Sequence, residues 1–376
     1  MSQTYQISDA AASQTALASQ LAAGGAPVPK MKMQGGAQTP SGFAGIGAEL
    51  EALVTGAGIF DLGYRTFLRA TGKDRVRWLN GMITQAVKSM SPGQVGYTLV
   101  LNPQGRIQGD GDISCHDEFL QLETDRSQSE RLLTHLRRFI IMDDVKLEEL
   151  DGSTTALGIA GPRAAGILER LGASVPAEGE WRSGGLAGAE ATVVHGYGPV
   201  VTQYEIHLPA ESVLAVWQAL AAAGAGPCGA GAVENLRIFE GVARYGVDFS
   251  DKHLPQEANL ERALNFTKGC YIGQEIVERI RARATVHRAL RQFELHGQVP
   301  QPGPGAVVEL RAGDATVGEL SSAAAIELPG FSKALALGVA RVEALEKSET
   351  EPLRYDGGIA APLAEPPRFR ASGNGI

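Results

Sequence analysis

The feature that most limits how this chain can fold is that it repeats itself. Phe67-Leu68-Arg69-Ala70-Thr71-Gly72 reads as a short strand ending at glycine, followed by Lys73-Asp74 and a helix carrying Val76, Trp78 and Leu79 at apolar spacing. Leu157-Gly158-Ile159-Ala160-Gly161 does the same, with Pro162 at the helix start and Ala165, Ile167 and Leu168 at matching positions. Proline suits a first turn because the N–H it lacks has no intrahelical partner there. A second pair follows in the same order. Leu120-Gln121-Leu122 leads into a helix through Leu132, Leu133 and Leu136, and Tyr204-Glu205-Ile206 leads into one through Val216, Trp217 and Leu220. The echo predicts two similar α+β units, each a small sheet with helices on one face.

Between the paired segments, Tyr97 to Ile107 reads as a hairpin with an Asn102-Pro103-Gln104-Gly105 turn. From Leu290 the helical period fades. Val307 to Leu310, Thr316 to Leu320 and Ala334 to Val342 read as strands, Gln301 to Gly305 as a turn, and the end beyond about Pro362 as frayed. That pattern predicts a small antiparallel β-barrel at the C-terminus. Residues 1–47 are rich in Ala, Gly, Ser and Gln. With few large apolar side chains they read as a disordered tail, since burial cannot offset the ordering of the backbone. The expected division is therefore a tail over 1–47, two α+β units over 48–289 and a barrel over 290–376.

The net charge of -8 argues against a general nucleic-acid coat, and no apolar run is long enough to span a membrane. The start of the chain has no basic segment and no continuous apolar stretch, so a cytoplasmic protein is expected. Cys115, Cys228 and Cys270 are far apart and show no metal-ligand spacing. No metal site is expected.

One segment stands out chemically: Lys268-Gly269-Cys270-Tyr271-Ile272-Gly273-Gln274-Glu275. A cysteine lies between glycines, two residues after a lysine, just ahead of a helix through Ile276, Val277 and Ile280. A helix N-terminus and a nearby ammonium both favour thiolate. The alternative from the residues alone is a small buried side chain. Arg279, Arg281, Arg283, His287, Arg288 and Arg291 follow, a basic run that reads either as an anion-binding face or as a solvated helix face.

This octapeptide matches the signature of the YgfZ folate-binding family within the glycine-cleavage T-protein (GcvT, aminomethyltransferase) superfamily. Ile59-Phe60-Asp61-Leu62, Leu99 to Asp110, and Leu236-Arg237-Ile238 through Gln256-Glu257 are similar to other family segments. The resemblance implies a cloverleaf of two ferredoxin-like α+β units and a C-terminal antiparallel β-barrel around a tetrahydrofolate channel. It implies a folate-binding accessory factor in the assembly or repair of iron–sulfur proteins, including tRNA-modifying enzymes, with iron–sulfur client or assembly proteins as partners. The alternative is a tetrahydrofolate-dependent aminomethyl or methyl transferase.

Carried over by residue, the candidate catalytic set is Cys270, Lys268 and Asp110. The cofactor-binding set is Glu205 and Tyr97, with Tyr271 and Gln274 of the signature. In T-proteins a pair of aspartates ends the hairpin; Gly109-Asp110 keeps only the second, which reads either as a group beside the folate or as a turn-end aspartate. Glu205 matches a pterin-holding glutamate, and a carboxylate accepts two parallel N–H bonds from an amidine-like edge. Val233 stands where T-proteins have a folate-contacting arginine, and His195 to Pro199 replaces their glycine-rich loop. Those departures imply a retained pocket with an altered reaction.

Overall fold

The computed structural model describes residues 13–24, 29–150, 152–283, 286–301 and 305–369. Ahead of the repeats come helix α1 (Ala16–Ala23), a hairpin of β1 (Met31–Gln34) and β2 (Ala37–Pro40), helix α2 (Ile46–Thr55) and strand β3 (Gly58–Asp61). The disordered tail expected over 1–47 is corrected for residues 13–24 and 29–47; residues 1–12 and 25–28 lie outside those described. The Thr15 hydroxyl accepts the Ala18 N–H at 3.2 Å and caps α1. Leu17 is wholly buried among side chains of the second unit. The hydroxyls of Thr15 and Thr39 both donate to the buried Asp61 carboxylate, Thr39 at 2.9 Å. Counting large apolar side chains missed this because one leucine and a hydroxyl–carboxylate cluster anchor the segment.

The first unit runs β4 (Arg65–Thr71), α3 (Arg75–Met82), β5 (Val95–Leu101), β6 (Ile107–Cys115), β7 (Leu120–Asp125), α4 (Arg126–Arg137) and β8 (Lys146–Glu149). Its antiparallel sheet has the order β5-β6-β7-β4-β8. The second runs β9 (Thr154–Ala160), α5 (Ala164–Arg170), β10 (Trp181–Leu186), β11 (Ala189–Gly196), β12 (Gln203–Pro209), α6 (Val213–Ala222) and β13 (Gly226–Cys228). Its sheet has the order β10-β11-β12-β9-β3-β13, the same arrangement with β3 inserted. Pro162 stands just ahead of the Arg163 cap of α5 rather than in its first turn.

Helices α7 (Ala230–Phe239) and α8 (Gln274–Arg283) then lead into β14 (Arg288–Gly297), β15 (Val308–Ala312), β16 (Ala315–Leu328), β17 (Phe331–Arg341), α9 (Val342–Glu346), β18 (Leu353–Tyr355) and β19 (Gly358–Leu363). These strands close into the expected antiparallel barrel, β14-β17-β16-β15-β18-β19. The α+β fold with two ferredoxin-like units and a barrel is the one the sequence implied. No helix among the described residues is long and apolar enough to cross a membrane.

Strand alternation explains why a polar site forms between well-packed units. On β12, Tyr204, Ile206 and Leu208 enter the second unit's core, which sends Gln203, Glu205 and His207 to the opposite face. On β7, Leu120 and Leu122 pack with Leu132, Leu133 and Leu136 of α4, leaving Gln121, Glu123 and Asp125 on the other face. Each fully buried leucine stabilises its unit by about 1.5–3 kcal/mol, so a register slip that turned these faces over would cost several such terms.

The repeated glycines share a cause. Gly72 and Gly161 have φ of +98° and +119°, and a Cβ would lie 2.1 Å from the Asp144 carbonyl oxygen and 2.5 Å from that of Gly56, respectively. Gly72→Ala therefore combines left-handed backbone strain with overpacking, and should lower stability by about 2 kcal/mol or more. A urea titration should show the midpoint falling at unchanged slope, and an unmoved midpoint would contradict the assignment.

Candidate functional site

An open cavity lies where the two units meet α7 and the segments after it. β6 contributes Asp110 and Asp112, β7 Glu123 and Asp125, β12 Gln203 and Glu205, and α7 Val233, Glu234 and Arg237; Tyr97, Tyr197, Glu240, Arg244 and Arg262 complete the wall. The Tyr97 hydroxyl donates to Asp110 Oδ2 at 2.7 Å, and the Gln128 amide donates to Asp110 Oδ1 at 2.9 Å. Asp110 is thus a positioned acceptor within the cavity, not a loose turn residue.

Arg65, the first residue of β4, ties the units together across the cavity. Its Nη1 donates to Glu205 Oε1 and Oε2 at 3.0 and 3.1 Å and to Glu123 Oε1 at 3.1 Å. His207 Nε2 lies 2.8 Å from Glu123 Oε2. Burial works against the Arg65 cation, but the facing Glu205, Glu123 and Asp112 carboxylates outweigh it. Burial likewise raises Glu123, yet His207 and Arg65 hold it well below the usual carboxylate range. The same pairing moves His207 up to about 9 against the effect of its burial. Glu123, Glu205 and His207 offer ligand atoms all within 4.8 Å of one another, a spacing a metal ion could use. The Arg65 guanidinium already sits on both glutamates, so a second cation would meet like charge, and the convergence is accounted for as an ion-pair network.

At the mouth, the Arg262 guanidinium carbon lies 3.7 Å from the centres of both the Tyr97 and Tyr197 rings. Glu240, buried at the rim of α7, accepts the Val201 and Val200 N–H groups and the Gln203 amide, and burial still pushes it up to about 7.

The expected site residues divide into two groups. Asp110, Tyr97 and Glu205 line the cavity together, and so does Val233. The signature residues do not. Lys268 Nζ donates to the Ile83 and Gln85 carbonyls at 2.6 Å each, and burial, with Lys88 nearby, lowers it to about 7. The amine anchors the loop to the segment after α3, and among the described residues it makes no hydrogen bond to Cys270. Tyr271 is buried with Leu99, Leu101 and Val277. Gln274 Oε1 accepts the Tyr271 N–H at 3.3 Å at the start of α8. Gly273 backs onto the Asn102 carbonyl of the hairpin turn. Cys270 is exposed, whereas Cys115 and Cys228 are buried. At least half of the basic run is matched by acids: Arg279 pairs with Glu275 at 2.6 Å, Arg281 with Glu278 at 3.3 Å and Arg288 with Glu257 at 3.8 Å. That pairing favours the solvated-face reading over an anion-binding face.

With this geometry in view, the comparisons with known proteins are decisive for family. The profile described as the GCVT N-terminal domain matches residues 19–268, well over half the chain. This chain belongs to the GcvT superfamily. An aminomethyltransferase of Rubrobacter xylanophilus is 30% identical over 292 residues, 76% of this chain and 78% of that protein. One from Nostoc sp. is 29% identical over 271 residues, 68% and 71% of the respective chains. The crystal structure of the glycine cleavage system aminomethyltransferase T from Bartonella henselae superposes with a TM-score of 0.78 at 18% identity, covering 93% of this chain and 96% of that one. At that identity the likeness shows the GcvT fold alone.

Sequence reasoning missed Arg65, Asp112, Glu123, His207, Arg262 and Tyr197. A signal did exist: Asp110 with Asp112, Glu123 with Asp125, and Glu205 with His207 are ionisable pairs two apart on strands, the spacing that places both members on one face. No local pattern could have supplied Arg65 as their partner, because it lies 140 residues from Glu205.

Proposed function

We propose that this chain binds a reduced folate in the cavity between its two units and acts as a folate-dependent transferase of the aminomethyl type. The observation that carries this reading is the convergence of Glu205, Asp110 and Tyr97 on one cavity in a GcvT-superfamily chain. The donor set fits such a ligand. Each Glu205 oxygen accepts an N–H of Arg65, His207 Nε2 stands 3.8 Å from Oε2, and the side chain remains 16% exposed, so the carboxylate keeps capacity for a pair of ring N–H groups. The Arg65 bond fixes the direction of that carboxylate, while Tyr97 and Gln128 fix Asp110 beside it. A bound tetrahydrofolate would supply the nitrogen that takes up the one-carbon unit. Val233 gives the wall an apolar contact where the family resemblance implies an arginine. Incubating the protein with tetrahydrofolate and an aminomethyl donor should produce ammonia in proportion to folate consumed. Folate binding with no turnover across donors would withdraw the transferase half of the proposal.

A second reading, the YgfZ-like accessory factor acting on iron–sulfur proteins, is favoured by one observation. Lys268, Tyr271, Gly273 and Gln274 each have a packing or hydrogen-bonding role, while Cys270 between them is exposed. Iodoacetamide should label Cys270 well before Cys115 or Cys228; burial, reinforced by Glu49, pushes the Cys228 thiol up to about 12. Peptide mapping after brief labelling checks this, and equal rates at all three would remove the chemical basis of the second reading. The second reading predicts that a deletion strain loses iron–sulfur enzyme activities and that the parent gene restores them while Cys270→Ser does not; unchanged activities in the deletion strain, or full restoration by Cys270→Ser, would count against it.

A further inference from the structure

Asp110 and Asp112 lie two residues apart on β6 and so share its cavity face, but their situations differ. Asp110 accepts bonds from Tyr97 and Gln128. Glu123 and Glu205 hold Arg65, and Glu123 also holds His207. The Asp112 carboxyl takes no hydrogen bond from any described residue. Its closest cation, Arg65 Nη1, is 3.8 Å away, beyond hydrogen-bond reach, and its side chain is 28% exposed, toward the cavity.

The charged and titratable groups facing it are Arg65 from β4, Glu123 from β7, Glu205 from β12, Tyr97 from the paired strand and Arg262 at the mouth. Arg65 is already shared by two glutamates and His207 is held by Glu123, so an ionised Asp112 has no cation within hydrogen-bond reach on a partly dry wall, and only Arg65 and, more weakly, Arg262 act against its burial. Burial raises its pKa, Arg65 opposes that, Glu205 reinforces it, and the carboxyl reaches about 7.

We propose that Asp112 is the proton-exchanging ligand group of this cavity: its neutral carboxyl donates to an acceptor atom of a heteroaromatic lactam ring, and binding draws a proton onto it. The proposal rests on the folate reading of the cavity. A ring that enters excludes the water now reaching the carboxyl, which disfavours the charged form, so the bound group holds its proton more tightly than the free one. The sign follows by linkage. Affinity is full below about pH 7, where both states are protonated. It falls as pH rises from the free pKa toward the higher bound one, by up to about tenfold per unit.

Calorimetric titration with tetrahydrofolate at pH 7.5, in buffers of different ionisation enthalpy, should show uptake of about half a proton or more. Asp112→Asn keeps a donor of the same shape without a titrating group. It should bind nearly as well as the parent at pH 6.5, show no uptake, and lose the fall in affinity between pH 7 and 8.5. Uptake retained in Asp112→Asn would assign the proton to Asp125 or Glu240, and binding without proton exchange in the parent would remove it altogether; either overturns the inference and leaves the folate reading standing. Absence of any binding by the parent would defeat the folate reading, and this inference with it.

Discussion

Glu205→Gln should weaken tetrahydrofolate binding by about thirty-fold or more, because losing one partner of a buried charged hydrogen-bond pair typically costs about 2–5 kcal/mol. The amide keeps the shape of the side chain and presents one acceptor where the carboxylate presents two. It also turns an N–H toward a ring edge that offers N–H groups itself. The fold should be little affected, since Glu123 continues to hold Arg65 at 3.1 Å. Calorimetry on the variant, with the thermal midpoint recorded alongside, separates the two effects. Affinity equal to the parent's would mean that Glu205 serves only as a counter-ion to Arg65.

The largest stability loss is expected at Arg237, which fastens α7 to the segment entering the barrel. Its guanidinium meets Asp248 and Glu234 at 2.6 Å each, and also donates to the Ser322 hydroxyl at 2.8 Å and the Val242 carbonyl. The Asp248 side chain has no exposed surface. Burial opposes the Arg237 charge, and the Asp248 and Glu234 carboxylates more than restore it. Arg237→Leu leaves Asp248 buried with only the Ser321 and Ser322 hydroxyls and the Arg244 N–H as partners. Removing one side of a buried pair costs about 3–5 kcal/mol, whereas removing both can be close to neutral. Denaturant unfolding should therefore show the single variant strongly destabilised and Arg237→Leu/Asp248→Asn partly restored. A double variant no more stable than the single would show that Arg237 acts through packing and not through its charge.

What was legible in the sequence was periodic or local. The strand–glycine–helix echo at Gly72 and Gly161 reflects the same positive φ and the same backbone approach in both units, and it yielded two sheets of matching strand order. Asp110, Tyr97 and Glu205 were reached through family segments, and β12 shows why a strand glutamate can serve a cavity: its neighbours Tyr204 and Ile206 are in the core. The ordered N-terminal segment escaped notice because its anchors are one leucine and two threonines bonded to Asp61. The Arg65 network escaped because its partners come from three strands of two sheets. The signature was read as one chemical unit. In the structure, Lys268, Tyr271 and Gly273 hold a loop against the first unit and Gln274 braces it from within, while Cys270 is exposed.

The most direct test of the central claim is a crystal structure of the protein grown with tetrahydrofolate. The ring edge is predicted to lie on the Glu205 carboxylate, with Tyr97, Asp110 and Asp112 along the same ligand. Ligand density outside this cavity, or a cavity holding only water at saturating tetrahydrofolate, would contradict the account.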